Sequence, residues 1–358
     1  MRVLIAGGGT GGHVIPALAI ARELRDAYGA EVRFVGTARG LETRLVPEAG
    51  FPLELIRVGQ LKNVSLMTRV RTLFDLPLGV GRCVGLLRGF RPDVVVGVGG
   101  YASGPAMMAA ILLRVPTLAF EPNAVPGLAN RLVGRWVDAA AVNFDETRRY
   151  FRGARVTGTP VRAEFFSIAP RGAGEAKRLL VFGASQGARV FNELIPRIAE
   201  RVLERFPGLQ IVHQTGGRHG ESTRATYERL GVVSERIRVT PYLDDMPEQF
   251  GAADLILCRS GASTMAELAA AGRAAVLVPF PQAADDHQRK NADVFVAAGA
   301  AEMIVEAELN EERLLAALVD LLGDDARRME MGQRALALAH PGAVVEIGSM
   351  VAELGSGR

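Results

Sequence analysis

The stretch Val3-Leu4-Ile5-Ala6-Gly7-Gly8-Gly9-Thr10-Gly11-Gly12-His13 decides the fold. A four-residue apolar run is too short for a helix and reads as a buried strand. It ends in five glycines within six residues, and a helix-like stretch follows. In open α/β sheets the loops at the carboxyl ends of strands form the ligand crevice. The backbone N–H groups at the following helix N-terminus favour phosphate. The same strand, glycine loop and helix recur at Gly97-Val98-Gly99-Gly100-Tyr101-Ala102-Ser103-Gly104 and at Gly183-Ala184-Ser185-Gln186-Gly187-Ala188-Arg189. Outward from these loops, Val32–Val35, Val94–Val98 and Thr117–Phe120 read as strands of a parallel sheet with crossover helices. Around Thr157–Lys177 the pattern lapses into Gly, Pro and Arg and reads as a linker. The alternation restarts at Arg178–Phe182, Gln210–His213, Arg236–Thr240, Asp254–Cys258 and Ala275–Pro279. The 358 residues therefore split near the middle into two α/β halves, each carrying phosphate-type loops.

Composition narrows the function classes. Two cysteines cannot build a disulfide framework or a four-cysteine metal site, so a reducing, cytoplasmic setting is expected. The apolar start is too short for a secretory leader. The uncharged stretch from Val94 to Leu113 has membrane-span length, but its glycines and Pro105 fit strand, loop and helix instead. Net charge is only +3, and 39 of the 42 cationic residues are arginine, which carries no nucleic-acid inference. The charge is uneven, however: from Arg57 to Arg91 seven Lys or Arg face the single acid Asp75.

The first loop matches the dinucleotide fingerprint through Gly7, Gly9 and Gly12. That fingerprint also needs an acid at the end of the second strand to hold ribose hydroxyls. Here the second strand runs into Gly36-Thr37-Ala38, with Glu31 at its beginning, and the dinucleotide reading loses its partner. No P-loop motif occurs either. A further candidate site follows the strand Asp254–Cys258. There Ser263 and Thr264 offer hydroxyls and amides to a diphosphate at a helix start, and Glu267 lies one turn in, within reach of a ribose. The competing reading is a capping box, with Ser or Thr capping and Glu267 closing it.

The run Gly8-Gly9-Thr10-Gly11-Gly12-His13, together with Gly183–Arg189, Cys258-Arg259-Ser260-Gly261-Ala262 and Asp286-His287-Gln288, resembles the MurG family. Its members are UDP-N-acetylglucosamine–N-acetylmuramyl-(pentapeptide) pyrophosphoryl-undecaprenol N-acetylglucosamine transferases. The likeness runs from Arg2 to about Glu346 with the motifs in order. It implies an α/β protein of two Rossmann-like domains with parallel sheets facing across a cleft, the GT-B architecture. The expected domains are 1–163 on the acceptor and membrane side and 164–340 on the donor side, with a helix over 341–358 packing back on the first. By motif, Thr10, Gly11 and Gly12 face sugar and diphosphate, and Asn123 the sugar hydroxyls. Arg162 and Ser185 lie on the diphosphate side, and Leu243 presents backbone to uracil with Met246 beside it. Ala262, Ser263 and Thr264 form the diphosphate helix, Glu267 meets the ribose, and His287 and Gln288 the sugar. The sequence departs from the family at Pro122, Thr159 and Ala184.

The resemblance implies transfer of GlcNAc from UDP-GlcNAc to the MurNAc 4-hydroxyl of lipid I, the undecaprenyl-pyrophosphoryl-MurNAc-pentapeptide, giving lipid II for peptidoglycan. Going from an α-linked donor to a β1→4 product is an inversion, achieved by one in-line displacement. The acceptor hydroxyl needs a base and the leaving diphosphate needs charge stabilisation. His13, after the first glycine loop, is the expected catalytic base. No Asp-x-Asp triplet, H-E-x-x-H or C-x-x-C occurs, so neither metal nor cofactor is expected. The alternatives are another GT-B UDP-sugar transferase, a sugar-nucleotide epimerase, and a non-catalytic nucleotide-sugar-binding regulator. A lipid-linked acceptor implies peripheral docking on the cytoplasmic face of the bacterial membrane, through residues around 62–88. Leu66, Met67, Val70, Leu73, Phe74, Leu76 and Leu78 interleave there with Arg69, Arg71 and Arg82. The bland reading of that segment is a helix broken at Pro77 with its apolar face in the core. Cell-wall synthesis or division proteins are further expected partners, and nucleic acid is not.

Overall fold

The computed structural model describes residues 1–57, 66–172, 174, 177–184, 186–232 and 234–357, and of 66–76 the backbone alone. The chain divides into two units, Met1–Pro160 with Gly342–Arg358, and Val161–Pro341. The first unit runs β1 (Arg2–Gly7), α1 (Gly11–Tyr28), β2 (Glu31–Gly36), α2 (Glu42–Glu48), β3 (Leu53–Leu55), α3 (Leu66–Phe90) and β4 (Val94–Gly99). It continues through α4 (Ser103–Leu112), β5 (Thr117–Glu121), α5 (Leu128–Val133), β6 (Ala139–Val142) and β7 (Ala154–Val156). Its sheet has the order β3-β2-β1-β4-β5-β6-β7, with every pair parallel. Side chains alternate across a strand. Val3 and Ile5 therefore pack against Val14, Ala17 and Ile20 of α1, and Leu4 and Ala6 join Cys83, Leu87 and Met107 on the other face. Both faces are covered, which is why the strands read as continuous apolar runs.

In the second unit the elements are α6 (Ala163–Phe166), β8 (Arg178–Phe182), α7 (Arg189–Arg205), β9 (Gln210–Gln214), α8 (Gly220–Arg229), β10 (Ile237–Thr240) and α9 (Met246–Ala252). They continue as β11 (Leu255–Cys258), α10 (Ala262–Ala271), β12 (Ala275–Leu277), α11 (His287–Ala297), β13 (Glu302–Met303), α12 (Glu311–Gly323) and α13 (Asp325–Leu336). The sheet order is β10-β9-β8-β11-β12-β13, again all parallel. After it, α14 (Ala343–Ser356) belongs to the first unit, where Ile347, Met350 and Val351 bury at helical spacing in the core that α1 also lines.

Three differences from the sequence reading have physical causes. Four strands escape it. Of these β3, β7 and β13 are two- or three-residue edge strands, and β6 is Ala-Ala-Ala-Val, poor in β-branched residues. Part of the stretch read as a linker, from Ala163 to Ala169, is packed structure. Phe165 stands edge-on to Phe250 at 5.1 Å, and the buried Arg273 guanidinium donates to the Ala169 carbonyl at 2.9 Å. Finally, α3 runs through Pro77. A helix-interior proline costs about 3 kcal/mol, which burial of Cys83, Leu87 and Phe90 offsets at about 1.5–3 kcal/mol for each large apolar side chain.

His213 on β9 is fully buried beside the Tyr227 hydroxyl, 3.1 Å from Nδ1, and desolvation pushes its pKa down to about 3. The unfolded chain therefore takes up a proton below about pH 6.5 that the native state refuses. Stability is fully present above that pH and is lost as the pH falls toward 3. In urea titrations, His213→Gln should remove this acid-side loss, about 1.4 kcal/mol per pH unit at its steepest. An unchanged slope between pH 6.5 and 4.5 would refute the assignment.

Candidate functional site

Strand order places the glycine loops. In the first unit the order reverses between β1 and β4, and in the second between β8 and β11. Crevices of open α/β sheets form at such switch points, outside the carboxyl ends of the strands. Both reversals fall on strands that end in the glycine-bearing loops singled out in the sequence.

At the first switch point the pairing of β1 with β4 shifts register after Ala6, so that Gly7 faces Gly99. The Gly8 amide then donates to the Gly99 carbonyl at 3.3 Å, joining the two loops. Gly99 has φ +89, and a Cβ there would stand 2.9 Å from the His13 ring. Only glycine fits, and His13 lies over it. Thr10 is the N-cap residue of α1, with no capping bond from its side chain; its hydroxyl lies 3.3 Å from His13 Nδ1. Gly11 and Gly12 open the helix, so their amides belong to its unsatisfied first turn. Beyond β5, Asn123 gives its backbone N–H and side-chain amide to Glu121 Oε1 at 3.1 and 3.0 Å. Gly127 N–H and Asn130 Nδ2 fill Oε2 at 3.1 and 3.0 Å. Burial raises the Glu121 pKa and these donors pull it back. Four donors and no acceptor suit the carboxylate, so Glu121 holds the Asn123 loop as a buried anion.

At the second switch point α10 starts behind Gly261, which is the N-cap residue, and no side chain caps the helix. The capping-box reading is overturned. Ser263 Oγ is buried with no hydrogen-bond partner, and no hydrogen bond forms to the Glu267 carboxylate among the described residues. The physical reason is register: with Gly261 as cap, Glu267 lies beyond the first turn and cannot reach the cap amide. Desolvation raises the Glu267 pKa to about 7, with the positive charge of Arg162 opposing the rise. Arg162 itself is exposed, its guanidinium 5.2 Å above the Phe165 ring. Ala262 and Thr264 are buried in the first turn.

The start of α11 is tied to the same turn. Ser260 Oγ donates to the Gln288 carbonyl at 2.8 Å, and Asn291 Nδ2 to the Ser260 carbonyl at 3.1 Å. Gln288 Oε1 accepts from Phe280 N–H at 2.9 Å, and His287 Nδ1 lies 2.7 Å from the Ala284 carbonyl. Asp285 and Asp286, at φ +56 and +55, make the strained turn that delivers His287 and Gln288. Leu243 is buried after β10, and Met246 opens α9, which packs on α10. Ser185 lies outside the described residues.

Two of the three departures from the family pattern, Ala184 and Thr159, carry a local cost. Ala184 sits in the left-handed region at φ +60, which costs about 1–2 kcal/mol for a residue with a Cβ. Thr159 Oγ1 is buried without a partner. Arg259, inside the motif, is a strut: it donates to the Val278 and Pro279 carbonyls, pairs with Glu306, and lies between the Phe191 and Phe280 rings. Sequence reasoning missed Glu42, which is 1% exposed and accepts from Gly9 N–H. The available signal was an acid among crowded glycines, Gly36 and Gly40, just after the second strand. Among the described residues no three His, Cys, Asp or Glu side chains gather to hold a metal ion.

Family models for the N-terminal and C-terminal domains of glycosyltransferase family 28 match residues 3–142 and 178–347. A UDP-N-acetylglucosamine–N-acetylmuramyl-(pentapeptide) pyrophosphoryl-undecaprenol N-acetylglucosamine transferase of Solibacter usitatus is 44% identical, covering 98% of this chain and 95% of its own. A protein of the same name from Anaeromyxobacter dehalogenans (strain 2CP-C) is 45% identical over 99% of this chain and 93% of its own. The crystal structure of Acinetobacter baumannii MurG superposes with a TM-score of 0.82 at 31% identity, over 98% of this chain and 99% of that one. A putative UDP-N-acetylglucosamine 2-epimerase from Listeria monocytogenes has a TM-score of 0.70 at 15% identity over 97% and 94%, a likeness of fold alone.

Proposed function

The chain belongs to glycosyltransferase family 28 through both of its halves, and from that premise we infer its reaction. It transfers GlcNAc from UDP-GlcNAc to the MurNAc 4-hydroxyl of lipid I, yielding lipid II. Support comes from relatives 44–45% identical over nearly the whole chain, and from a 31% identical solved relative. One local observation carries the donor assignment: the uncapped α10 N-terminus, where, among the described residues, Ser263 has a buried hydroxyl without a partner and Glu267 a carboxylate without a donor.

In this reading the second unit holds the donor. The first-turn amides of α10, with the Ser263 and Thr264 hydroxyls, take the diphosphate. Glu267 accepts from the ribose hydroxyls, and Arg162 adds positive charge as the diphosphate leaves. Leu243 and Met246 border the uracil, and Asn123, His287 and Gln288 the sugar; Ala262 and Ser185 complete the diphosphate set. In the first unit His13 takes the proton of the acceptor 4-hydroxyl as that oxygen attacks C1 of GlcNAc. The C1–O bond to the β-phosphate breaks with its electron pair on UDP, and the configuration inverts. Beside this base Thr10, Gly11 and Gly12 face the sugar and diphosphate.

His13→Ala should leave UDP-GlcNAc binding within a few-fold and cut turnover with lipid I by about 10²–10⁴. Turnover near the parent's would remove His13 as the base. Ribose hydroxyls bind an ionised acceptor more strongly, so UDP affinity should rise about five- to ten-fold between pH 6 and 8 as Glu267 ionises around pH 7. Titration of the UDP phosphate is common to every variant. Glu267→Gln should bind UDP less tightly and lack the additional rise; a parent-like profile would show that Glu267 does not hold the ribose.

A polyprenyl acceptor places the enzyme at the bilayer, on its cytoplasmic face, as a peripheral protein. No helix among the described residues is long and apolar enough to cross a membrane. The reading rests on the basic, leucine-rich run at 62–88, where Leu78 is 67% exposed and Arg82 and Arg88 face solvent. Lys62 and the side chains of Leu66–Leu76 lie outside the described residues. Arg69→Glu with Arg71→Glu should weaken sedimentation with anionic vesicles several-fold, each charge being worth about 1 kcal/mol near such a surface. Binding at the parent level, insensitive to salt, would place the anchor elsewhere.

A further inference from the structure

Glu42, at the start of α2, is 1% exposed, and no basic side chain among the described residues pairs with it. Its carboxylate is filled by donors from two loops. Oε2 accepts from the Gly9 N–H at 2.7 Å; Oε1 accepts from the Thr37 N–H and the Thr37 hydroxyl, both at 3.0 Å. Gly8, Gly36 and Gly40 crowd against it, so that a Cβ on Gly8 or Gly40 would strike the carboxylate and one on Gly36 the Cγ methylene beside it. The Leu41 N–H donates in turn to the Gly9 carbonyl at 3.2 Å. The start of α2 thus grips Gly9 by both its amide and its carbonyl.

Gly9 is the residue before Thr10, whose hydroxyl lies 3.3 Å from His13 Nδ1. Gly8, on its other side, is bonded to Gly99, the residue over which the His13 ring lies. Glu42 therefore acts on the one peptide from which both supports of the imidazole depend. Its place in the fold is also informative. The carboxylate lies at the carboxyl end of β2, where a dinucleotide-binding fold keeps an acid for ribose hydroxyls. Here that carboxylate is wholly occupied by the protein's own amides and hydroxyl, so it organises the loop in place of a nucleotide.

We propose that Glu42 is a positioning residue, which clamps Gly9 so that Thr10 and Gly99 hold the His13 imidazole in its reactive orientation. The proposal rests on His13 being the base for the acceptor hydroxyl. A carboxylate is required because all three groups on it are donors; an amide would turn its own N–H₂ toward one of them.

The test uses the full chain with UDP-GlcNAc and lipid I. Glu42→Gln should lower kcat about 10- to 100-fold, the range for a slightly misplaced reacting group, with the KM for UDP-GlcNAc within twofold. Placed in a His13→Ala background, the same substitution should have almost no further effect, because the group it positions is gone. A purely structural role predicts full loss in both backgrounds. Parent-like kcat in Glu42→Gln, or multiplicative losses in the double variant, would overturn the proposal. If Glu42→Gln does not fold, Gly40→Ala, which presses a methyl on the carboxylate but keeps its charge, should give the same kcat loss and the same non-additivity; the absence of either overturns it. Failure of the base reading is separately visible as near-parent turnover of His13→Ala alone, and the proposal falls with it.

Discussion

Parallel pairing of β1 with β4, and of β8 with β11, is the constraint on which the site depends. Strands adjacent in a sheet but distant in sequence end at the same edge, and their following loops meet there. In the first unit this brings Gly8 within a hydrogen bond of Gly99, though ninety residues separate them. Side chains are excluded on both partners by what packs around the contact: a Cβ on Gly8 would strike the Glu42 carboxylate, and one on Gly99 the His13 ring. In the second unit the same geometry brings the end of β8 at Phe182 beside the end of β11 at Cys258, from which the turn into α10 starts.

Buried charge divides the ionisable residues into two kinds. Glu42, Glu121, Arg259 and Arg273 are buried and satisfied, chiefly by backbone groups of neighbouring loops. Their role is to fix those loops, because a buried ion left without partners would be strongly destabilising. Arg273 is typical: five carbonyls around its guanidinium hold Phe250, Gly251, Ala271, Gly272 and Ala169 together, while burial lowers its pKa to about 10. Glu267 is of the other kind. Its carboxylate is desolvated and receives no donor among the described residues, an arrangement suited to an incoming hydroxyl.

Strain follows the same division. Ala184, Asp285 and Asp286 occupy left-handed backbone next to the glycine loop of β8 and at the start of α11. Ala184 directly precedes Ser185 and Asp286 directly precedes His287, two residues for which resemblance to the family implies a ligand contact. Elsewhere the second unit uses glycine wherever its turns need positive φ, as at Gly231, Gly272 and Gly299. In the first unit Arg91 and Arg114 also take positive φ, just after α3 and α4.

Much was legible in the chain itself. Apolar runs such as Val3–Ala6 and Arg178–Phe182 announced buried parallel strands, because strands covered on both faces need no polar side chains. The glycine loops announced close backbone approach, and His13 and Glu267 stood out by their offsets from them. Short edge strands escaped because two or three residues carry no period, and β6 because its alanines are equally at home in a helix. Local pattern also left Glu267 poised between a capping box and a ligand site, and it left the first loop without its acid. Only the tertiary structure decided these points. The cap at α10 is set by where β11 ends, which makes Gly261 the cap residue and leaves Ser263 and Glu267 without hydrogen-bond partners among the described residues. Glu42 reaches Gly9 because β2 lies beside β1, a neighbour relation written in strand order and hydrogen bonding across 33 residues, which no local spacing encodes.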